Sequence, residues 1–450
     1  MFTLVNFFRR SAEDGRHVMA GPTWEGGRSL LKGDSLLIKR INQMAILRFV
    51  QQNEPSSRYE IAQACGLSNS TVSTLISELM EIGIIKNLGE GPSIGGRRPV
   101  VLGINEQAGH VIAVDVGATA ITCGRVDLHA KIHDKLTIRT SKNPAKSLAA
   151  TVQLVEKVYQ QALSHQSPPI LGVGVATAGY VRPSTGIVVS ASNLGWRDVD
   201  LGTEIQSATG LPTLVGNNAN AAALGELYYG VGAGVANFVY VAIGNGIGTG
   251  LVLDGQLYRG ARNGAGELGH TAVAADGPTC SCGRVGCLES LASGSAIEQM
   301  AMTLLVDAEE PGTSRPRKIT AETVFRRAQA GDAAATAIVD TALNYLAIGI
   351  ANMVNIVNPD QVILGGGITR SGDYFMEQFL PKIKPRLVPE QNGQVQFALS
   401  ESNEDSGLRG AATLVIQQLF GAVRPIPGGG DGPAAGPSRA KPTVHDLILR

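Results

Sequence analysis

Glu267-Leu268-Gly269-His270, followed by Cys280-Ser281-Cys282-Gly283-Arg284-Val285-Gly286-Cys287-Leu288-Glu289, is the stretch on which the fold of this 450-residue chain is decided. Three of the five cysteines crowd into eight positions, with Gly283 and Gly286 between them to turn the chain. Thiols this dense, in a chain with no paired cysteine framework, read as metal ligands more readily than as disulfides. One imidazole and three thiolates complete a closed tetrahedral shell. His270, Cys280, Cys282 and Cys287 are therefore expected to hold a structural Zn²⁺ with no position left for water. The competing reading, unpaired cysteines beside a core histidine, leaves the intervening glycines unexplained. Cys65 and Cys123 lie on apolar patterns and read as core.

Around that run, residues 106–420 alternate β-branched stretches with helical patterns, which indicates α/β layers. The stretch 111–119 is a buried strand ending in Asp115-Val116-Gly117-Ala118-Thr119. Gly244 to Gly250 follows a strand over 238–243, and Gly365-Gly366-Gly367 follows one over 361–364. Glycine lets a phosphate approach backbone amides, a Thr hydroxyl can bond it, and an Asp can position Mg²⁺. Asp115, Gly117, Thr119, Gly246, Gly248 and Gly366 are thus candidate nucleotide contacts, against the plainer reading of ordinary tight turns. Two Gly-punctuated strands, one early and one past the middle, also suggest two similar halves.

Upstream, Leu36, Leu37, Ile41, Met44, Ile46, Leu47 and Val50 recur at helical spacing, giving a helix of about four turns. A short helix over 58–65 follows, with Ile61 and Ala64 inward. Gly66-Leu67 breaks it, and Ser68 is placed to cap a third helix running to 81 or 82. Val72, Leu75, Ile76 and Leu79 share one face of that helix. Asn69, Ser70, Thr71, Ser73 and Thr74 fall at its start or on the other faces, where they could reach base edges in a major groove. Short strands at 84–85 and 99–102, joined by a turn-rich loop over 89–96, add a wing. Arg97 and Arg98 follow its Gly95-Gly96 hinge and can grip phosphates or enter a narrow minor groove. The segment 35–104 reads as a winged helix-turn-helix with double-stranded DNA as its partner. Seven basic and five acidic residues there give a net +2. The plainer alternative is a three-helix interaction module with solvated arginines.

The whole chain has 38 basic and 38 acidic side chains, a total that hides one basic module. Glycine is high, at 56 residues, and charged residues are low, at 17%. No uninterrupted apolar run approaches 18 residues, so no membrane is expected as a partner. The first residues place Arg9 and Arg10 after a short apolar run, unlike a secretory signal, and the chain is read as cytoplasmic. Residues 1–34 read as a flexible extension. Residues 421–450, with six Gly and five Pro, read as a disordered tail.

The order D-x-G-x-T, then Asn217-Asn218-Ala219-Asn220, then E-x-G-H with C-x-C-G-x-x-G-C-x-E resembles the ROK family of repressors, open reading frames and kinases. The resemblance spans about 106–420, and with the winged module it extends to that family's sugar-responsive transcriptional repressors. It implies an actin/hexokinase-like (ribonuclease H-like) α/β body of two lobes, with a zinc loop at about 267–289 and sugar bound between the lobes. It further implies sugar contacts at Asn193, Asn217, Glu267, His270 and Glu289. Carboxylates and amides can pair with sugar hydroxyls, and His270 could offer one ring nitrogen to the metal and the other to the ligand.

One departure from the family pattern bears on activity. Its kinases read N-D-A-N, the Asp taking the proton from the sugar hydroxyl that attacks ATP, whereas this chain has Asn218 there. An amide cannot accept that proton near neutral pH but still hydrogen-bonds the hydroxyl, so ATP/Mg²⁺ turnover is not expected. The resulting expectation is a DNA-binding regulator of carbohydrate-metabolism genes, a repressor sensing a sugar or sugar phosphate. It would act as a homodimer or dimer of dimers on a two-fold operator. The alternatives are an active ATP-dependent sugar kinase, glucokinase-like, with an appended DNA-binding module, or a body answering to a protein partner.

Overall fold

The structure, a computed structural model, describes residues 35–92, 98–164, 167–305, 319–401 and 405–420. The expected extension 1–34, the tail 421–450 and the wing residues Gly95, Gly96 and Arg97 lie outside the described residues.

The winged module is α1 (Ser35–Asn53), β1 (Ser56–Ser57), α2 (Arg58–Cys65), α3 (Asn69–Glu81), β2 (Ile85–Glu90) and β3 (Val100–Ile104). The sheet order is β1-β3-β2, and the small strand β1, which sequence patterning missed, pairs with β3. At 19 residues, α1 is a turn longer than its apolar pattern suggests. A capping box at Ser57 and Glu60 starts α2, and Gly66 in the left-handed region ends it. Ala62, not Ala64, is the residue buried beside Ile61 on that short helix. The Ser68 hydroxyl accepts the Thr71 N–H and caps α3, whose Val72, Leu75, Ile76 and Leu79 are buried. The wing strands are longer than expected: Gly89 and Glu90 belong to β2, and the Gly91 N–H donates to Pro99 O across its end.

Two sheets follow. The first lobe contains β4 (His110–Val116), β5 (Ala120–Asp127), β6 (Ile132–Arg139), α4 (Pro144–Ser164) and β7 (Ile170–Thr177). Next come β8 (Tyr180–Arg182), β9 (Ile187–Ala191), β10 (Trp196–Val199), α5 (Leu201–Thr209), β11 (Thr213–Asn217) and α6 (Asn218–Tyr229). The second lobe contains β12 (Phe238–Ile243), β13 (Ile247–Leu253), β14 (Gln256–Tyr258), α7 (Leu288–Ala292), α8 (Gly294–Leu305), α9 (Ala321–Gln329) and α10 (Ala333–Val357). It closes with β15 (Gln361–Gly365), α11 (Asp373–Ile383), β16 (Gln396–Leu399) and α12 (Ser406–Phe420). Sheet orders are β11-β7-β4-β5-β6 and β14-β13-β12-β15-β16. Each has its first strand central, an antiparallel meander on one side and two parallel strands on the other. The chain therefore carries the same five-stranded plan twice, as its Gly-punctuated strands suggested.

Between the sheets, α6 and α12 pack on each other, and each crosses to the lobe that did not precede it. α12, at the end of the chain's second half, lies on β4 and β7, while α6 lies on β12 and β13. Strand glycines admit this approach: a methyl on Gly174 of β7 would fall 1.9 Å from the Ala411 carbonyl oxygen of α12. One on Gly250 of β13 would fall 2.5 Å from Ala223 Cβ of α6. Part of the glycine excess is thus spent on helix–sheet contact rather than on phosphate turns. Among the described residues α10 alone is long and apolar enough to cross a membrane, but Ile338, Leu343, Leu346 and Ile350 bury it in the second lobe's core.

Candidate functional site

The two lobes meet at a small recess lined by Gly179, Asn217, Asn220, Thr249, Asn263 and Glu267, among others. Asn217 caps α6: its Oδ1 accepts the Ala219 and Asn220 N–H groups at 2.9 and 3.2 Å, while its Nδ2 donates to Gly179 O at 2.9 Å. That ties the end of β11 to the first-lobe turn at Gly179 and leaves Nδ2 one free hydrogen. Asn218 Oδ1 accepts the Ala219 N–H at 2.9 Å, on the same helix start. Asn220 and Thr249, which sequence patterning did not single out, are both at least nine-tenths buried. Their Oδ1 and Oγ1 have no hydrogen-bond partner at the recess they line. Buried polar atoms without partners are costly, so a ligand or water supplying donors there recovers that cost. The spacing Asn217 to Asn220, one helical turn, was the available signal.

Glu267 precedes the short 3₁₀ turn Leu268–His270. Burial first, then the neighbouring Glu289 carboxylate, push its carboxyl above the ordinary range, opposed by His270. A corner of the site is built around the turn between β12 and β13. Glu289 Oε2 accepts the Ile247 N–H at 3.1 Å, and a methyl on Gly246 would lie 2.4 Å from that oxygen and 3.6 Å from Asn193 Nδ2. Asn193, Gly246 and Glu289 are thus brought together, with Glu267 and His270 next to them. Gly248 lies inside β13, where a methyl would meet Ala219 Cβ at 3.0 Å, so its lack of a side chain serves helix packing as well as the recess.

The other phosphate candidates stand elsewhere. Asp115 ends β4 in the first lobe, against the start of α12, where a methyl on Gly407 would lie 2.2 Å from its Oδ2. Burial pushes its carboxyl up to about 6. Gly117 and Thr119 form the next turn: the Gly117 N–H donates to Ala120 O, and the Thr119 side chain is exposed. Gly366, after β15, packs on Ile243, whose carbonyl oxygen would lie 2.5 Å from an added methyl.

The cysteine loop folds as its spacing predicts. His270 and Cys280, Cys282 and Cys287 bring one ligand atom each to within 4.8 Å of one another. A tetrahedral Zn²⁺ with bonds of about 2.3 Å to S and about 2.0–2.1 Å to N has S···S edges of about 3.8 Å and S···N edges of about 3.6 Å. Cys282 and Cys287 Sγ are 3.7 Å apart, and Cys280 Sγ lies 3.5 Å from His270 Nδ1. The donor set therefore fits that ion, with Nδ1 as the ligating nitrogen and Nε2 left over. Burial opposes ionisation of Cys282, but hydrogen bonds from the Arg284 backbone and guanidinium outweigh it and bring that thiol down to about 6. Burial and the adjoining Cys282 push Cys287 up to about 12. Gly286, at φ 72°, has the Ala274 carbonyl 2.0 Å from where a Cβ would be, so only glycine fits this turn. Ser281 Oγ donates to Glu289 Oε1 at 3.2 Å, which ties the cysteine loop to that carboxylate.

On the winged module Asn69, Ser70, Ser73 and Thr74 are exposed along α3, while Thr71 is half-buried and hydrogen-bonded to Ser68. Thr74 Oγ1 donates to Ser70 O within the helix. Arg98 is exposed beside the wing. Lys39 and Gln43 of α1 both reach Glu78 and brace α3 from behind.

The profile of the ROK family matches residues 111–418, and that of a winged helix-turn-helix DNA-binding domain matches 39–86. A xylose repressor from Caldicellulosiruptor bescii is 31% identical over 394 residues, covering 86% of this chain and 98% of the repressor. A glucokinase from Halalkalibacterium halodurans is 32% identical over 314 residues, covering 68% of this chain and 95% of the kinase. Among solved structures, a ROK family transcriptional regulator described as a homologue of an Escherichia coli protein, MLC, superposes with a TM-score of 0.73. It is 27% identical and covers 85% of this chain and 97% of that one.

Proposed function

The chain belongs to the ROK family, and from that premise we propose that it is a transcriptional repressor of carbohydrate-metabolism genes. In this reading the winged module binds double-stranded operator DNA, and the junction of the two lobes reads a sugar or sugar phosphate. The observation that carries it is one chain joining a capped, exposed recognition helix to a sugar-facing helix start where an amide, Asn218, stands in place of a general base. The full-length match to a repressor supports it, whereas the kinase match is confined to the body. Glu267 and Glu289 would accept from sugar hydroxyls, and Asn193, Asn217 and Asn218 would pair with them as donor or acceptor. His270 would add its Nε2. A structural Zn²⁺ on His270, Cys280, Cys282 and Cys287 would hold His270 and Glu289 in register by fixing their loop. A dimer, or a dimer of dimers, in the cytoplasm would place two copies of α3 on two half-sites, and sugar would change their spacing.

To test this, the full-length chain is used to select duplexes from a random pool. It is then screened by thermal shift against D-xylose, D-glucose and their phosphates. Recovery of a duplex whose affinity changes in the presence of a stabilising sugar is expected. No selected duplex, or a duplex indifferent to every bound sugar, overturns the proposal. The second reading, an active kinase, is favoured by the intact Asp115 and Gly117 turn. Loss of a general base typically costs ~10²–10⁴ in rate, so ATP turnover is expected only after Asn218→Asp. Turnover by the native chain at ordinary sugar-kinase rates would establish the kinase instead.

A further inference from the structure

The two helices between the sheets both end against the winged module, and one of them begins at the recess. α6 starts at Asn217 and Asn218 beside the recess, and α12 starts at Ser406, with Gly407 in its first turn against Asp115. Over 12 and 15 residues they span about 18 and 22 Å. At the far end Phe420 is fully buried in one cluster with Ile46, Leu47 and Val50 of α1. The pair meets backbone to backbone: a methyl on Gly410 would lie 2.4 Å from the Ala221 carbonyl, and Gly225 faces Gly410 in turn. At that crossing no side chain separates the two backbones, so a displacement of one helix is passed to the other as a rigid-body shift.

The end of α6 makes a directional contact with the module. The Tyr229 hydroxyl accepts from Gln51 Nε2 of α1 at 2.7 Å and donates to Leu128 O, in the turn after β5, at 3.0 Å. Burial pushes this phenol well above its ordinary range, so it stays a neutral donor. Beside it, His129 Nε2 meets Glu54 Oε1 at 2.5 Å, and Glu54 Oε2 accepts the Ile104 N–H of β3 at 2.8 Å. One junction thus fastens the end of α1, a wing strand, a body turn and the last residue of the helix that starts in the sugar site.

We infer that Tyr229 is a positioning residue that couples occupancy of the lobe junction to the setting of the DNA-binding module, through its contacts with Gln51 and the Leu128 carbonyl. This rests on the repressor reading above. The test uses the full-length chain, native and Tyr229→Phe, which keeps the ring and its packing. The probes are a duplex selected by the native chain and D-xylose. In the native chain, duplex binding is expected to alter amide exchange over residues 217–223, at the start of α6. Tyr229→Phe should abolish that response while duplex affinity without sugar stays within about threefold, and Gln51→Leu should reproduce it. Where D-xylose binds, its effect on duplex affinity should fall from the ~5–150-fold usual for coupled sites to under about twofold. A native α6 that does not respond to duplex overturns the inference. So does an exchange response that persists in Tyr229→Phe while only its thermal midpoint falls. Failure to recover any duplex brings down the DNA-binding reading itself, a separate outcome.

Discussion

The two lobes share one strand plan but treat its first hairpin turn differently. In the first lobe the turn after β4 stays open, with Thr119 exposed and Asp115 held against the start of α12. In the second lobe the equivalent turn after β12 is clasped by inserted chain: Glu289 takes the Ile247 N–H, and the loop carrying Glu289 is drawn together by His270 and three cysteines. The fold supplies the same hairpin turn twice, and the 267–289 stretch packs on only one of them, the one where the proposed sugar site lies. Chemistry here follows the inserted loop, not the repeated topology.

That contrast breaks most sharply at the cysteines. Cys282→Ser, or exhaustive chelation, is expected to release bound zinc and weaken sugar binding by more than about tenfold, while amide exchange in β4–β7 of the first lobe is unchanged. Metal analysis, calorimetry and hydrogen exchange read the three parts. Zinc-free native protein with full sugar affinity would remove the insertion's special standing.

A smaller effect asks whether the crossed helices bind the two sheets equally tightly. Gly174→Ala puts a methyl onto the Ala411 backbone and should cost on the order of 3 kcal/mol. Gly250→Ala meets the Ala223 methyl at 2.5 Å and the Ala219 carbonyl oxygen at 2.7 Å, less close than the 1.9 Å at Gly174, and should cost less. Denaturant melts rank the pair, and the reverse order would mean that α6 rather than α12 is the tighter seam.

The smallest effect concerns the open turn and depends on pH. Burial pushes Asp115 up to about 6, above the ~3.9 of an unfolded chain. The folded state therefore holds that proton more tightly. The associated stability is fully present below pH ~4 and is lost as pH rises through 6. Asp115→Asn should accordingly stabilise the chain by about 2 kcal/mol at pH 8, with the advantage fading by pH 4. A constant difference across that range in thermal melts would mean that Asp115 is solvated.

The sequence alone determined what is local. Ser68 capping α3, the Gly66 break, the clustering of His270 with three cysteines and the Asn at 218 are legible because caps, turns and ligand spacings act over a few residues. Strand periodicity likewise identified α/β layers. It could not say what each buried face is buried against, since a period reports a face and not its partner. Only the tertiary structure decided that α6 and α12 cross to opposite sheets and that Gly174 and Gly250 serve those contacts. It also decided that Asn220 and Thr249 leave unpaired oxygens at the recess and that Tyr229 reaches Gln51, 178 residues away in sequence. Such pairings join distant segments through packing, and no local pattern encodes them.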